Sequence, residues 1–323
     1  MQTPRPYVID VPQADIDDLN HRLARTRWPD QLPGVGWTYG VNRDYLQELV
    51  EYWRTGYSFR EHAARINRLP QFTTTIDGQN IHFLHVRSPE PDAAPLIITH
   101  GWPSTVYEFL AMIGPLTDPR AHGGDPADAF HVVVPSVPGF AFSGPTRETG
   151  WGSKRIARAW DELMRGLGYD RYGAQGGDFG SIVSPEIGRL FPERVIGVHV
   201  NALANASTPT DPADLDWISP AERELARRQE QDWIAHSGYA TQMGTRPQTL
   251  AYALNDSPAG QLAWNIEWFV DWDPARTEQA PVDRDAILTD VSILWLTGTA
   301  GSAARLYLEA GEEGWGGRPE PSP

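Results

Sequence analysis

The chain has 323 residues, 40% hydrophobic and 21% charged, a balance that can bury one large core with an insertion or second lobe. Its formal net charge of −15 argues against nucleic acid and anionic membrane surfaces as partners. No cysteine occurs, which excludes disulfides, thiolate zinc sites and cysteine nucleophiles.

Residues 1–10 include two prolines and no apolar h-region, so no secretory signal is read and a cytoplasmic location is expected. No run approaches about 18 consecutive apolar residues, and no membrane span is expected. Residues 15–24 open with acids and place Ile16, Leu19 and Leu23 at helical spacing. Thr26-Arg27-Trp28-Pro29-Asp30 ends that helix, a second is expected over 42–52, and the chain to residue 68 also reads as helical. Residues 71–76 and 81–86 read as two strands joined through an Asp77-Gly78 turn. The pattern then becomes parallel α/β. Strands are predicted at 95–99, 130–135, 171–175 and 194–200, and helices at 106–113, 156–167 and 181–187. Such alternation implies a mostly parallel sheet covered on both faces. Past Asn201 it stops, and 205–310 holds helical runs at 220–235 and 259–270 with few convincing strands. Residues 291–296 could be a strand or a buried helix.

Gly176-Gly177-Asp178-Phe179-Gly180 sits between a predicted strand and a predicted helix. This is the context of a nucleophile elbow, with aspartate where a hydrolase usually carries serine. Flanking glycines fit a turn too tight for neighbouring Cβ atoms. A carboxylate that attacks a saturated carbon forms an ester, which water can cleave; serine would form an ether, which it cannot. The site therefore suits epoxides or alkyl halides. The plainer reading is a glycine-rich turn with a capping Asp. His100-Gly101-Trp102-Pro103 weighs against it. That segment follows the 95–99 strand, where an α/β-hydrolase places one oxyanion-hole N–H, here that of Trp102, while Phe179 supplies the other. Thirteen tryptophans suit packing and also an apolar substrate pocket.

With these motifs the chain resembles the α/β-hydrolase epoxide hydrolases of the microsomal type, including juvenile-hormone epoxide hydrolases and bacterial relatives from enediyne pathways. The likeness rests on Arg27-Trp28-Pro29, on both core motifs, on Gly238-Tyr239, Thr245-Arg246-Pro247-Gln248-Thr249 and Leu254-Asn255-Asp256-Ser257-Pro258, and on Thr297-Gly298-Thr299 with Ala304-Arg305-Leu306-Tyr307. It implies an α/β-hydrolase core over 71–204, a helical N-terminal segment over 1–70, a helical cap over 205–310 and a Gly/Pro-rich tail over 311–323. It also implies Asp178 as nucleophile, Tyr239 and Tyr307 as donors to the epoxide oxygen, and His100, Gly101, Pro103, Gly176, Gly177 and Gly180 as loop and elbow support. Phenols near pKa 10 can donate to a nascent alkoxide and stay protonated at neutral pH. The expected partners are a small hydrophobic or aromatic epoxide and water, with no cofactor and no metal; a homodimer is compatible with this.

The family pattern calls for a histidine base and its acid partner after the cap. The nine histidines stand at 21, 62, 82, 85, 100, 122, 131, 199 and 236, none beyond the cap. The chain is therefore expected to be C-terminally truncated, with an exposed sheet edge and the last core strands and helices absent. His199 and His236 read as structural or surface residues, and Glu267, Asp271 and Asp273 as solvated cap charges. The competing functions are a haloalkane dehalogenase, disfavoured because that family commonly has tryptophan where Phe179 stands, and a non-catalytic remnant that binds hydrophobic ligands. No Gly-x-Ser-x-Gly, metal-ligand cluster or Gly-x-Gly-x-x-Gly supports an esterase, metal or dinucleotide enzyme.

Overall fold

The computed structural model describes residues 1–201, 219–267, 269 and 282–313. Asp271 and Asp273, the end of the helix predicted to residue 270, and the tail from 314 lie outside these residues.

A seven-stranded mixed sheet organises the chain. Asp77 and Gly78 both have positive φ, 47° and 75°, as a two-residue hairpin turn matched to strand twist requires. They join β2 (Gln71–Ile76) to β3 (Gln79–Val86) as an antiparallel pair. A two-residue strand, β1 (Arg5–Pro6), adds to β2 and was not foreseen; two residues carry no readable alternation. The remaining strands are β4 (Ala94–Thr99), β5 (Phe130–Pro135), β6 (Tyr172–Gly176) and β7 (Val195–Val200). Their order is β1-β2-β3-β5-β4-β6-β7, antiparallel as far as β5 and parallel from β5 to β7. Strand β4 lies between two parallel neighbours, which is why Ile97, Ile98 and Thr99 are wholly buried and its sequence shows no alternation. Ile196 and Val198 of β7 are exposed, 54% and 42%, and β7 ends the sheet among the described residues.

Helices α1 (Gln13–Ala24), α2 (Arg43–Thr55) and α3 (Phe59–Ile66) lie between β1 and β2. Asn42 and Ser58 cap α2 and α3 by accepting from the backbone N–H three residues on. Helices α4 (Leu110–Thr117), α5 (Ser153–Gly166) and α6 (Gly180–Leu190) connect the parallel strands. After β7 come α7 (Pro220–His236), α8 (Gly238–Thr245), α9 (Pro247–Leu254), α10 (Pro258–Ile266), α11 (Arg284–Leu296) and α12 (Ala300–Glu312). The ambiguous run at 291–296 is thus helical. Eight consecutive residues of α11, Ile287 to Leu294, are buried, so the helix has no polar face to impose a period of 3.6 on the sequence.

Two apolar cores result. One packs the sheet against α5, α6 and α12; the other joins Leu19, Leu49 and Trp53 of α1 and α2 to Leu262, Leu288 and Val291 of α10 and α11. The first 70 residues therefore share a core with helices more than 200 residues away. Among the described residues no helix is long and apolar enough to cross a membrane.

Candidate active site

Strands β4 and β6 are parallel neighbours that end in register, Thr99 opposite Gly176. The segments that follow them therefore emerge side by side at the carboxyl edge of the sheet, the usual place for ligands in open α/β folds. From β4 the chain enters His100-Gly101-Trp102-Pro103, with a cis Trp102–Pro103 peptide; from β6 it passes through Gly177 to Asp178 and into α6.

Asp178 has φ 49°, a left-handed conformation that costs a side-chain-bearing residue roughly 1–3 kcal/mol. The turn fits because its glycines admit close backbone approach: a Cβ on Gly176 would lie 2.5 Å from Gly180 Cα, and one on Gly180 2.9 Å from Thr99 C. Gly177 differs from expectation. Its nearest neighbour would be 3.6 Å from an added Cβ, an ordinary contact, so the crowding falls two residues either side of Asp178 and spares the residue before it.

The Trp102 N–H donates to Asp178 Oδ1 at 2.9 Å, and the Phe179 N–H also donates to this carboxyl. Both expected oxyanion donors thus already hold Asp178. Asp178 is exposed by surface area, yet protein surrounds its carboxyl. Burial raises its pKa, and the two N–H bonds oppose that rise by favouring the charged form.

Tyr239 on α8 and Tyr307 on α12 face Asp178. Their ring centroids are 5.6 Å apart, edge to face, and their hydroxyls share a hydrogen bond. Trp102 stacks on Tyr239 at 5.1 Å, Phe179 meets Tyr307 at 4.8 Å, and Trp233 of α7 closes on Tyr239 at 6.3 Å. Burial pushes Tyr239 up to about 12, and burial with the Asp178 charge pushes Tyr307 well above the ordinary tyrosine value. Both remain proton donors at neutral pH.

His100 is fully buried with both ring nitrogens committed: Nδ1 is 3.0 Å from Gly101 O, and Nε2 accepts from the Val137 N–H at 3.0 Å. That pattern requires the proton on Nδ1. Burial lowers its pKa to about 4, so His100 is a neutral brace for the loop. His199 and His236 are exposed. Glu267 is half-buried and not the solvated charge expected; burial raises its pKa, partly offset by His236. A cleft of about 410 Å³ between α1 and α11 contains none of these site residues, and its Arg22 is paired with Asp18 and Asp256.

Sequence reasoning overlooked Glu108. It lies on the short 3-10 turn Val106–Phe109, one turn beyond Ser104, with which it shares a hydrogen bond. Like Asp178, it is exposed by surface area, with protein on the other sides of its carboxyl. The available signal was its position, i+4 from Ser104 directly after His-Gly-Trp-Pro.

The geometry is that of an elbow carboxylate held by two backbone donors and faced by two phenols. Residues 4–109 match the epoxide hydrolase N terminus family, and residues 94–232 the alpha/beta hydrolase fold family. A protein of Stigmatella aurantiaca (strain DW4/3-1) whose epoxide hydrolase name is itself provisional is 46% identical over 316 residues, 97% of this chain and 71% of that protein. Epoxide hydrolase 1 of Sus scrofa is 33% identical over 94% of this chain and 72% of its own length. The chain belongs to the epoxide hydrolase family. The structure of Aspergillus niger epoxide hydrolase superposes on this one with a TM-score of 0.83, 32% identity, and coverage of 95% of this chain and 78% of that one. Juvenile hormone epoxide hydrolase from the silkworm Bombyx mori gives a TM-score of 0.79 with 28% identity, covering 96% and 76%. None of these relatives is a dehalogenase. This is an epoxide hydrolase with an α/β-hydrolase fold, and the family's reaction proceeds through an aspartyl ester.

Proposed function

We propose that Asp178 opens the epoxide ring, with Tyr239 and Tyr307 as proton donors. A carboxylate oxygen of Asp178 attacks a ring carbon; the C–O bond breaks, and its electron pair goes to the epoxide oxygen, which takes a proton from the tyrosine pair. The other Asp178 oxygen stays with the Trp102 and Phe179 N–H groups, which later steady the oxyanion formed when water attacks the ester carbonyl. Cleavage of that ester releases a vicinal diol. The walls formed by Trp102, Phe179, Tyr239 and Trp233 favour a small apolar or aryl epoxide.

The observation that carries this reading is the convergence of two backbone N–H groups and two raised-pKa phenols on one left-handed aspartate. The water step needs a base, and no histidine of this sequence stands after His236. His100, on the loop after β4 beside the Asp178 elbow, has no free ring nitrogen. The residues placed here account for the alkylation half, so a covalent adduct on Asp178 is the species to look for. Incubation with styrene oxide and intact mass spectrometry tests this. One covalent adduct on Asp178, absent in Asp178→Asn, is expected; rapid multiple turnover to diol with no adduct would defeat the assignment of the slow step.

A further inference from the structure

Helix α12 carries Tyr307 and is gripped on one side by the segment 139–154, which leads from β5 into α5. The gripping residues are Ser302, Arg305, Glu309 and Glu313, spaced i, i+3, i+7 and i+11 as one stripe of a helix is. At about 100° per residue that stripe lies roughly half a turn round α12 from Tyr307. Ser302 Oγ donates to Gly139 O, Arg305 Nη1 donates to Thr146 O at 3.4 Å, and Glu309 Oε2 accepts from the Gly150 N–H at 2.7 Å. Glu313 Oε2 accepts twice, from Ser153 Oγ at 2.7 Å and from the Lys154 N–H at 3.0 Å.

The last of these contacts replaces a missing helix cap. The N-cap of α5 is Gly152, which has no side chain to satisfy the first N–H groups of the helix. Glu313 reaches in from α12 and takes that place, its charge set against the positive end of the α5 dipole. It occupies the room that a side chain on Gly152 would fill, since an added Cβ would lie 2.4 Å from Glu313 Cδ. Gly152 has φ −81° and ψ −175°, a backbone open to any residue, so the requirement for glycine comes from Glu313. Helix α5 also braces the β4 end of the site, where Trp160 Nε1 donates to Thr99 Oγ1 at 3.1 Å, one residue before His100. On the other face of α12, the Tyr307 ring is buried against Trp102, Phe179 and Tyr239.

We propose that Glu309 and Glu313 are positioning residues for ring opening, clamping α12 to the start of α5 so that the Tyr307 hydroxyl stays within reach of the epoxide oxygen. This rests on the reading of Tyr307 as a proton donor beside the Asp178 nucleophile. The clamp refers the phenol to the same helix that braces the strand leading to the Trp102 donor. Both carboxylates serve as acceptors, a task that an amide oxygen can also perform.

The test is single-turnover opening of styrene oxide, read as epoxide consumed, with the full 323-residue chain in excess over a range of concentrations. Glu309→Ala combined with Glu313→Ala should lower the saturating rate ~10-fold, a fraction of the ~100-fold that a displacement of about 1 Å costs. The half-saturating concentration should stay within twofold. Glu309→Gln combined with Glu313→Gln keeps an acceptor at both places and should remain within threefold of the unsubstituted chain. Gly152→Ala, which displaces only the flexible end of Glu313, should slow opening while holding the melting temperature, and it is the check should the Ala pair fold poorly. Added to Tyr307→Phe, the Ala pair should cost less than twofold more, because the phenol it positions is gone. An Ala pair within twofold of the unsubstituted chain, or one that slows the Tyr307→Phe chain by the same factor, overturns the clamp and leaves Asp178 in place. An Asp178→Asn chain that opens the epoxide at the unsubstituted rate sinks the reading of Asp178 and the clamp with it, and so the failures are distinguishable.

Discussion

Gly101→Ala should separate the chemistry from the fold. A Cβ at residue 101 would lie 2.6 Å from Asp178 Cγ, against an ordinary contact of 3.4–4 Å, and the three nearest atoms all belong to the Asp178 side chain. Relief needs a movement of more than about 0.8 Å, the difference between 3.4 and 2.6 Å, since two other Asp178 atoms lie closer still. The carboxyl yields first, and because Asp178 Cβ is also too close, the elbow backbone must give as well. Its bond to the Trp102 N–H, 2.9 Å long, would be stretched or lost. A displacement of about 1 Å at a reacting group costs ~100-fold, and loss of one oxyanion donor costs ~10²–10³ in rate. The expected result is an Asp178 alkylation rate lowered ~100-fold or more, with a smaller loss of melting temperature than at Gly176 or Gly180, where the closest contacts are all backbone. Gly176→Ala and Gly180→Ala provide the contrast, since the added methyl there meets the backbone of Gly180 and of Thr99. Those two should lose stability outright, on the order of 2–4 kcal/mol for overpacking and backbone strain. Alkylation rates by intact mass and melting by circular dichroism decide the matter. A Gly101→Ala chain that alkylates within threefold of the parent refutes the placement of the carboxyl against residue 101.

Further outcomes follow from the same geometry. Tyr239→Phe and Tyr307→Phe should each slow alkylation ~10²–10⁴-fold. The double variant should be far from the product of the two, because their hydroxyls share a hydrogen bond; a multiplicative double mutant would argue that they act separately. Because burial pushes Tyr239 up to about 12, alkylation should hold its rate to pH ~10, where an unperturbed phenol is already half ionised; a fall beginning near pH 9 contradicts this. His100 is buried neutral, lowered to about 4, so its contribution to stability is present above the unfolded value near 6.5 and is lost as pH falls towards 4. In urea unfolding between pH 6.5 and 4.5, His100→Asn should lose less stability than the parent as pH falls, by about 1.4 kcal/mol per pH unit for one proton. Equal slopes would show that His100 can charge within the fold.

The legible parts of this molecule were those whose physics is local. The hairpin at Asp77-Gly78 is specified by two adjacent residues that tolerate positive φ, and the elbow by small residues two positions either side of Asp178. The apolar runs of β4 and β5 could be placed because strands flanked on both sides need no alternation. What could not be read depends on distant packing. Helix α11 is buried between the core shared with α1, α2 and α10 and, on its other side, the Thr105 turn and the sheet core, so its sequence carries no amphipathic period, and a strand remained an open reading. Glu108 is the sharper case. As a residue it is one acid among 42 Asp and Glu, on a turn where a solvated charge would be ordinary. Its distinction comes from Asp178, seventy residues on, and from Asp290, which holds the turn through Thr105. A carboxyl acquires an unusual proton affinity from neighbours brought to it by the fold, and no window of sequence contains those neighbours. Asp178 could be proposed as nucleophile from its turn because the turn itself creates the strain and exposure that role needs. The groups that set its charge are recruited across the sheet, so they emerge only when β4, β6 and α11 are in place.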